Sequence, residues 1–297
     1  MSRSPLCRAW LGAILLSSGC GAPVAYEPST PNAQVPLVVR SEDAHRAEIP
    51  LRRAVRNDDA ARAATTQATA RLRALLEALA KRRGFAFGNE DSTAYGIGWS
   101  GAPNLSDVER VCGVPPAVYG WDLFGIELGR KQNGDGVDFE VLCERMRAAN
   151  RIGAINTVSW HAYNPVTSGN AWDRTPAVAA ILPGGAAHDR FRASLDRVAD
   201  FFDGCRGEHG ERLPLVFRPF HEGSGNWFWW GAAQCSEEQY VDLFRFTIDY
   251  LRQTRDESQL LVAYSPDGIS CSFGARLPAT LPGGRLRGRA RARLLFR

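Results

Sequence analysis

Long apolar stretches are what this chain of 297 residues most lacks. The one extended run, Leu11–Leu16, falls far short of the roughly 20 residues a spanning helix needs, which excludes a multi-pass membrane protein. Its seven cysteines form no CxxC pair and show no metal-ligand spacing, and His161 and His221 lie too far apart for an HExxH zinc motif, so neither a metal nor a cofactor is expected. Residues 275–297 hold no Asp or Glu but seven Arg. Setting those seven aside turns the net charge of +4 into −3, so the body carries no basic signature and no nucleic-acid partner is inferred. What is present is 44% hydrophobic and 23% charged, with 29 Gly and 17 Pro. That is enough for one sizeable core and excludes a disordered, collagen-like or small disulfide-scaffold chain.

The two ends differ from the middle. Residues 1–20 read as an export signal: Arg3 and Arg8, an apolar Trp10–Leu16, then Ser17-Ser18-Gly19-Cys20. This ending resembles a bacterial lipobox with Cys20 as the lipidated residue, its Leu displaced to Leu16; an ordinary secretory signal is the other reading. Either implies export, to the cell surface or outer membrane as a lipoprotein or into the medium. Any membrane attachment is then through the lipid alone. Residues 21–60 carry five Pro and no sustained period, as a linker does. Residues 275–297 resemble an out-of-frame reading of GC-rich DNA; a basic tail for an anionic polymer is the competing reading.

Between 61 and 274 helix and strand alternate. Helical spacing holds over 61–83 and for Phe139/Leu142/Cys143/Met146/Ala149, Phe191/Leu195/Val198/Ala199/Phe202 and Tyr240/Leu243/Phe244/Thr247/Ile248/Leu251, the last opened by a capping box of Ser236 and Gln239. Strands are expected at 85–87, 118–122, 154–159, 215–220 and 260–264. Near-continuous apolar strands between amphipathic helices imply a parallel sheet buried on both faces. Polar residues follow each strand: Asn89/Glu90, Trp121/Asp122, Trp160/His161, His221/Glu222 and Asp267. No Gly-rich phosphate loop follows an early strand, so the expectation is an α/β chain of the (β/α)8 TIM-barrel type, with about five of the eight βα units written. Cys205 and Cys235 flank one strand and are the expected disulfide.

Seven of the eight Trp lie between 99 and 230. Flat apolar rings edged by polar groups suit the faces and hydroxyls of pyranose sugars; about half of them, Trp229 and Trp230 first, are expected merely to pack. Glu222, at a strand's carboxyl end beside a Trp-rich loop, stands where desolvation keeps a carboxyl protonated as a general acid. A salt bridge to Arg218 or a plain surface acid are the alternatives. Either histidine could donate to a sugar hydroxyl or a carboxylate, or simply be packed.

Three segments, Ser159–Thr167, Arg218–Gly231 and Ala263–Asp267, resemble the signatures of family 26 glycoside hydrolases, the β-mannanases, over about Leu72 to Asp267. By that resemblance Glu222 is the acid/base, His221 helps orient the catalytic carboxylates and His161 contacts the sugar being cleaved. Trp227 floors the neighbouring site, and Trp172 and Trp160 are further substrate contacts. The implied activity is retaining hydrolysis of β-1,4-mannan by a monomer. Gly-Ser-Gly-Asn after Glu222 departs mildly from the family pattern. A larger departure concerns the nucleophile, in the family a Glu ending the seventh strand: the Glu residues after 222 are Glu237, Glu238 and Glu257, none placed to reach the mouth. The resemblance thus implies a chain without its nucleophile and inactive. A non-catalytic glycan-binding lipoprotein, and the β-1,3-xylanases and mixed-linkage β-glucanases of the same family, are the rival readings.

Overall fold

A computed structural model describes residues 59–82, 85–102 and 105–267. The export signal, Cys20, most of the linker and the Arg-rich tail lie outside the described residues. Helix α1 (Asp59–Lys81) precedes strand β1 (Gly88–Glu90), a small hairpin of β2 (Tyr95–Gly96) and β3 (Trp99–Ser100), and a short helix α2 (Asp107–Cys112). Then follow β4 (Val118–Asp122), α3 (Phe139–Arg151), β5 (Ile155–Trp160), α4 (Val178–Ile181), α5 (His188–Gly204), β6 (Leu215–Pro219), α6 (Glu237–Asp249) and β7 (Leu260–Val262).

Among the described residues five strands form one parallel sheet in the order β1-β4-β5-β6-β7. Leaving aside the β2–β3 hairpin, which pairs only with itself, each strand of this sheet pairs with the one that follows it in the chain and the order never reverses, which is the progression of a barrel wall rather than of a doubly wound sheet. The capping box at Ser236 and Gln239 forms, and α6 begins one residue later. β1 starts later than its apolar residues suggest. Pro115 and Pro116 have no N–H to donate, so the ladder opens at Val118, and Val118 pairs with Gly88. Phe85 is left 61% exposed.

Side chains alternate across the strands, and the two faces have different roles. Outward, Tyr119, Trp121, Val158, Trp160 and Phe217 pack beneath α3 and α5 in the main core. Inward, Val118, Ile155, Val216 and Leu261 meet Leu72 of α1, with Leu76 and Leu79 beside it. α1 therefore covers the inner face at the amino ends of the strands. Toward the carboxyl ends the same face turns polar, since the register sets Asp122, Ser159 and Arg218 in one row across β4, β5 and β6.

The disulfide joins Cys143 of α3 to Cys205 at the end of α5, not Cys205 to Cys235. Flanking a strand in sequence puts two residues at opposite ends of the sheet: the five residues of β6 span roughly 16 Å. Cys235 lies at the other end, its thiol against the carbonyls of Trp230 and Gly231 and pushed up to about 11 by burial.

Candidate active site

Asp122, the last residue of β4, is buried and receives four hydrogen bonds. Ser159 Oγ donates to Oδ2 at 2.7 Å and the backbone N–H groups of Phe124 and His161 donate to Oδ1 at 2.7 and 3.2 Å. The fourth is from His161 Nδ1 to Oδ2 at 2.7 Å. Burial alone would raise this carboxyl, but His161, Ser159 and His221 outweigh it and hold it well below the carboxylate range. Burial likewise works to lower His161, and Asp122 with Glu222 outweighs it, so its imidazole is raised. The far nitrogen of that ring, Nε2, lies 3.1 Å from His221 Nε2. His221 is buried and held well below the usual imidazole value, by burial first and then by the charges of His161 and Arg218.

Both nitrogens of His161 are thus engaged inside the protein, and what the ring offers to a ligand is its face and edge. That face is already stacked on Trp172, at 5.2 Å between centroids and 13° between planes. Trp172 sits on the loop after β5, which Asn164 knits together. Its Nδ2 donates to the carbonyls of Asp173 and Thr175, and its Oδ1 accepts from the N–H groups of Val166 and Thr167.

Glu222 follows β6 through a tight turn in which Phe220 and Glu222 both take positive φ, +50° and +56°, on either side of His221. Such backbone is strained for non-glycine residues and persists only where the surroundings hold it. Here Tyr240 Oη donates to the Phe220 carbonyl, Trp230 Nε1 donates to the His221 carbonyl, and the N–H of Glu222 donates to the Ser265 carbonyl. The turn leaves the Glu222 carboxylate half-buried, accepting from Trp227 Nε1 at 2.9 Å. Trp227 (38% exposed) and Trp172 (50% exposed), with Arg174 and Asn226, line an open cleft of about 410 Å³.

The structure brings together Glu222, His221, His161, Trp227 and Trp172. Trp160 it places elsewhere. In β5 residue 160 shares its face with 156 and 158, so its indole points outward, fully buried, stacked on Phe191 and donating to Glu127 Oε2. His221 is in place beside Glu222 in the chain, yet the carboxylate's side-chain partner is the Trp227 indole. Trp229 and Trp230 are packed as expected, and Trp121 is buried with them.

Three residues of the site escaped the sequence reading. Asp122 is the hub of the hydrogen bonds and was visible only as a strand-ending acid. Phe124 backs the residues of the cleft, stacked on Tyr163 and edge-on to His161 and Trp172. Phe228 meets both histidines edge to face. Among the described residues no cluster of three or more His, Cys, Asp or Glu could hold a metal ion.

A parallel (β/α) wall with its polar residues gathered at the strands' carboxyl edge defines a barrel-type protein with an open-mouthed site. The chain belongs to glycosyl hydrolase family 26, whose model matches residues 63–276. It is 36% identical over 235 residues to a mannan endo-1,4-β-mannosidase of Bifidobacterium adolescentis, covering 76% of this chain and 23% of that one. A mannan endo-1,4-β-mannosidase of Bacillus subtilis is 28% identical, over 55% of this chain and 48% of its own. Among solved structures, a GH26 β-mannanase from Bacteroides ovatus superposes with a TM-score of 0.62 and 43% identity, over 69% of this chain and 57% of that one. A modular endo-β-1,4-mannanase from Cellulomonas fimi gives 0.56 and 39%, over 61% and 42%. The chain therefore spans less than two-thirds of the length of each of these relatives.

Proposed function

We propose that this site is built for a β-1,4-linked mannan chain, with Glu222 as the acid/base of a retaining glycoside hydrolase. The observation that carries this reading is the placing of Glu222 on a strained, buttressed turn at the lip of a cleft walled by two exposed indoles, one of which donates to its carboxylate. In that chemistry Glu222 protonates the leaving oxygen and later takes a proton from water. The curated relatives named above carry mannan endo-1,4-β-mannosidase as their function, which supports the substrate class.

Retention needs a second carboxylate about 5–5.5 Å from the first. After Glu222 the sequence offers Glu237 and Glu238, at the start of α6, and Glu257, buried before β7 at the opposite end of the sheet. Among the described residues none of these three glutamates is placed to be that second carboxylate, and the part these residues play is to bind the mannan chain without turning it over on their own. The disulfide supports export to an oxidising compartment, in keeping with the signal read at residues 1–20 and with Cys20 as a lipid anchor for a monomer.

Calorimetry with mannohexaose and reducing-sugar release from galactomannan test this together. Binding without release is the expected result, and Trp227→Ala should weaken binding about tenfold, equivalent to ~1.4 kcal/mol. Preference for β-1,3-xylan or a mixed-linkage glucan would overturn the substrate, and sustained release would overturn the inactivity.

A further inference from the structure

Asp122, His161 and His221 form a continuous chain of contacts that no substrate-binding role requires. The acid takes four hydrogen bonds, His161 spans from it to His221, and His221 ends the chain against the aromatic rings of Phe228 and Trp230. The 3.1 Å between the two Nε2 atoms is a hydrogen bond only if one nitrogen carries a proton and the other a lone pair. Which way it runs is set by the charges around the pair. Asp122 on β4, Asp135 before α3 and Glu222 after β6 all favour a proton on His161, whereas Arg218 on β6 disfavours one on His221.

We propose that Asp122 is a positioning residue for the site: it holds His161 as an imidazolium, which donates through Nε2 to His221 and fixes that ring as the neutral, Nδ1-protonated tautomer next to Glu222. The consequence is specific. Among the described residues His221 Nδ1 has no partner, so they orient the ring through its other nitrogen alone. His161 cannot rotate without breaking its bonds to Asp122 and His221, nor leave the face of Trp172. Asp122 therefore sets the position of one wall of the sugar cleft, and places a fixed positive charge facing Glu222, without touching a ligand itself.

The test is histidine NMR on the full chain, with ¹⁵N-labelled imidazoles followed from pH 5 to 8. Both nitrogens of His161 should be protonated at pH 7, with a titration above the ordinary imidazole range, while His221 stays neutral with its proton on Nδ1. Asp122→Asn should lower the His161 midpoint by about one unit or more, and Glu222→Gln by less. Mannohexaose binding should weaken in Asp122→Asn most at the alkaline end, where His161 has lost its proton; a merely structural acid would weaken it equally at every pH. A neutral His161 at pH 7, or a charged His221, overturns the proposal from the wild-type spectrum alone, even if the variant does not fold. Its bearing on catalysis rests on the function proposed above. The proton on His161 does not, so failure to bind mannan with the expected spectrum would sink the substrate and leave Asp122's role standing.

Discussion

Glu257 should make this protein lose stability as the pH rises through neutrality. Its carboxyl is fully buried between the end of α6 and β7, with one oxygen accepting from Gln259 Nε2 at 2.6 Å and the other without a partner among the described residues. Burial first, then the charge of Asp203, pushes it from 4.5 up to about 8, against the pull of Gln259, Arg212 and Arg255. The folded state then binds the proton more tightly than the unfolded chain between those two values. Stability is full below 4.5 and falls through that window as the pH rises. A glutamine in its place is the neutral isostere of the protonated acid, so Glu257→Gln should match the wild type at acid pH and exceed it above. At about 1.4 kcal/mol per unit, the gain grows from about 1 kcal/mol at pH 5 to at most about 4 kcal/mol at pH 8. Urea unfolding followed by tryptophan fluorescence at pH 5, 6, 7 and 8 measures it. A difference between the two proteins that stays flat across that range would refute the reasoning, because Glu90 and Asp91, which titrate in the same direction, are common to both.

Trp160→Ala should cost about 3–5 kcal/mol of stability, as expected of a core indole, while a folded fraction binds mannohexaose with unchanged affinity; loss of affinity in folded protein would return Trp160 to the site. Trp230→Phe keeps most of the buried ring but removes the donor to the His221 carbonyl, so binding should fall more than the melting temperature does. Cys143→Ser opens a loop closed over 62 residues and should lower stability by about 4 kcal/mol in the chain-entropy account. Peptide mapping should then find Cys205 and Cys235 both free, since they sit at opposite ends of β6.

The barrel was legible because its signal is periodic. Buried strands of five or six residues alternate with helices whose apolar stripes repeat at 3.6, and the acids and histidines that follow those strands mark one end of the sheet. Glu222 and its neighbours were legible through a specific run of residues. What escaped depended on which way a side chain faces. Trp160 and His161 are adjacent in the sequence, yet one lies beneath α5 and the other in the cleft, because successive residues of a strand point to opposite faces. The disulfide failed on a related ground, since proximity in sequence across a strand is distance in space. Asp122 was hidden by its partners: its role is to hold His161, and that pairing spans 39 positions and exists only once β4 and β5 lie side by side.

The tryptophans show the same division from the side of energetics. An abundance of indoles near a sugar-type cleft suggests stacking platforms, but six of the seven between 99 and 230 act through the N–H as much as the ring. Trp121 donates to Asn156, Trp160 to Glu127, Trp229 to the Ala162 carbonyl, Trp230 to the His221 carbonyl, Trp99 to Asp107 and Trp227 to Glu222. At Trp121, Trp229 and Trp230 a phenylalanine would fill much of the space and leave a buried acceptor unmet. Two of these bonds end on backbone carbonyls at the ends of β5 and β6, where the chain leaves the sheet and must stop bending freely. One of them lies inside the turn whose two positive-φ residues present Glu222. The strain of that turn is therefore balanced locally, by Trp230, Tyr240 and the Ser265 carbonyl. Placing the carboxylate at the lip of the cleft does not depend on any ligand to hold it there.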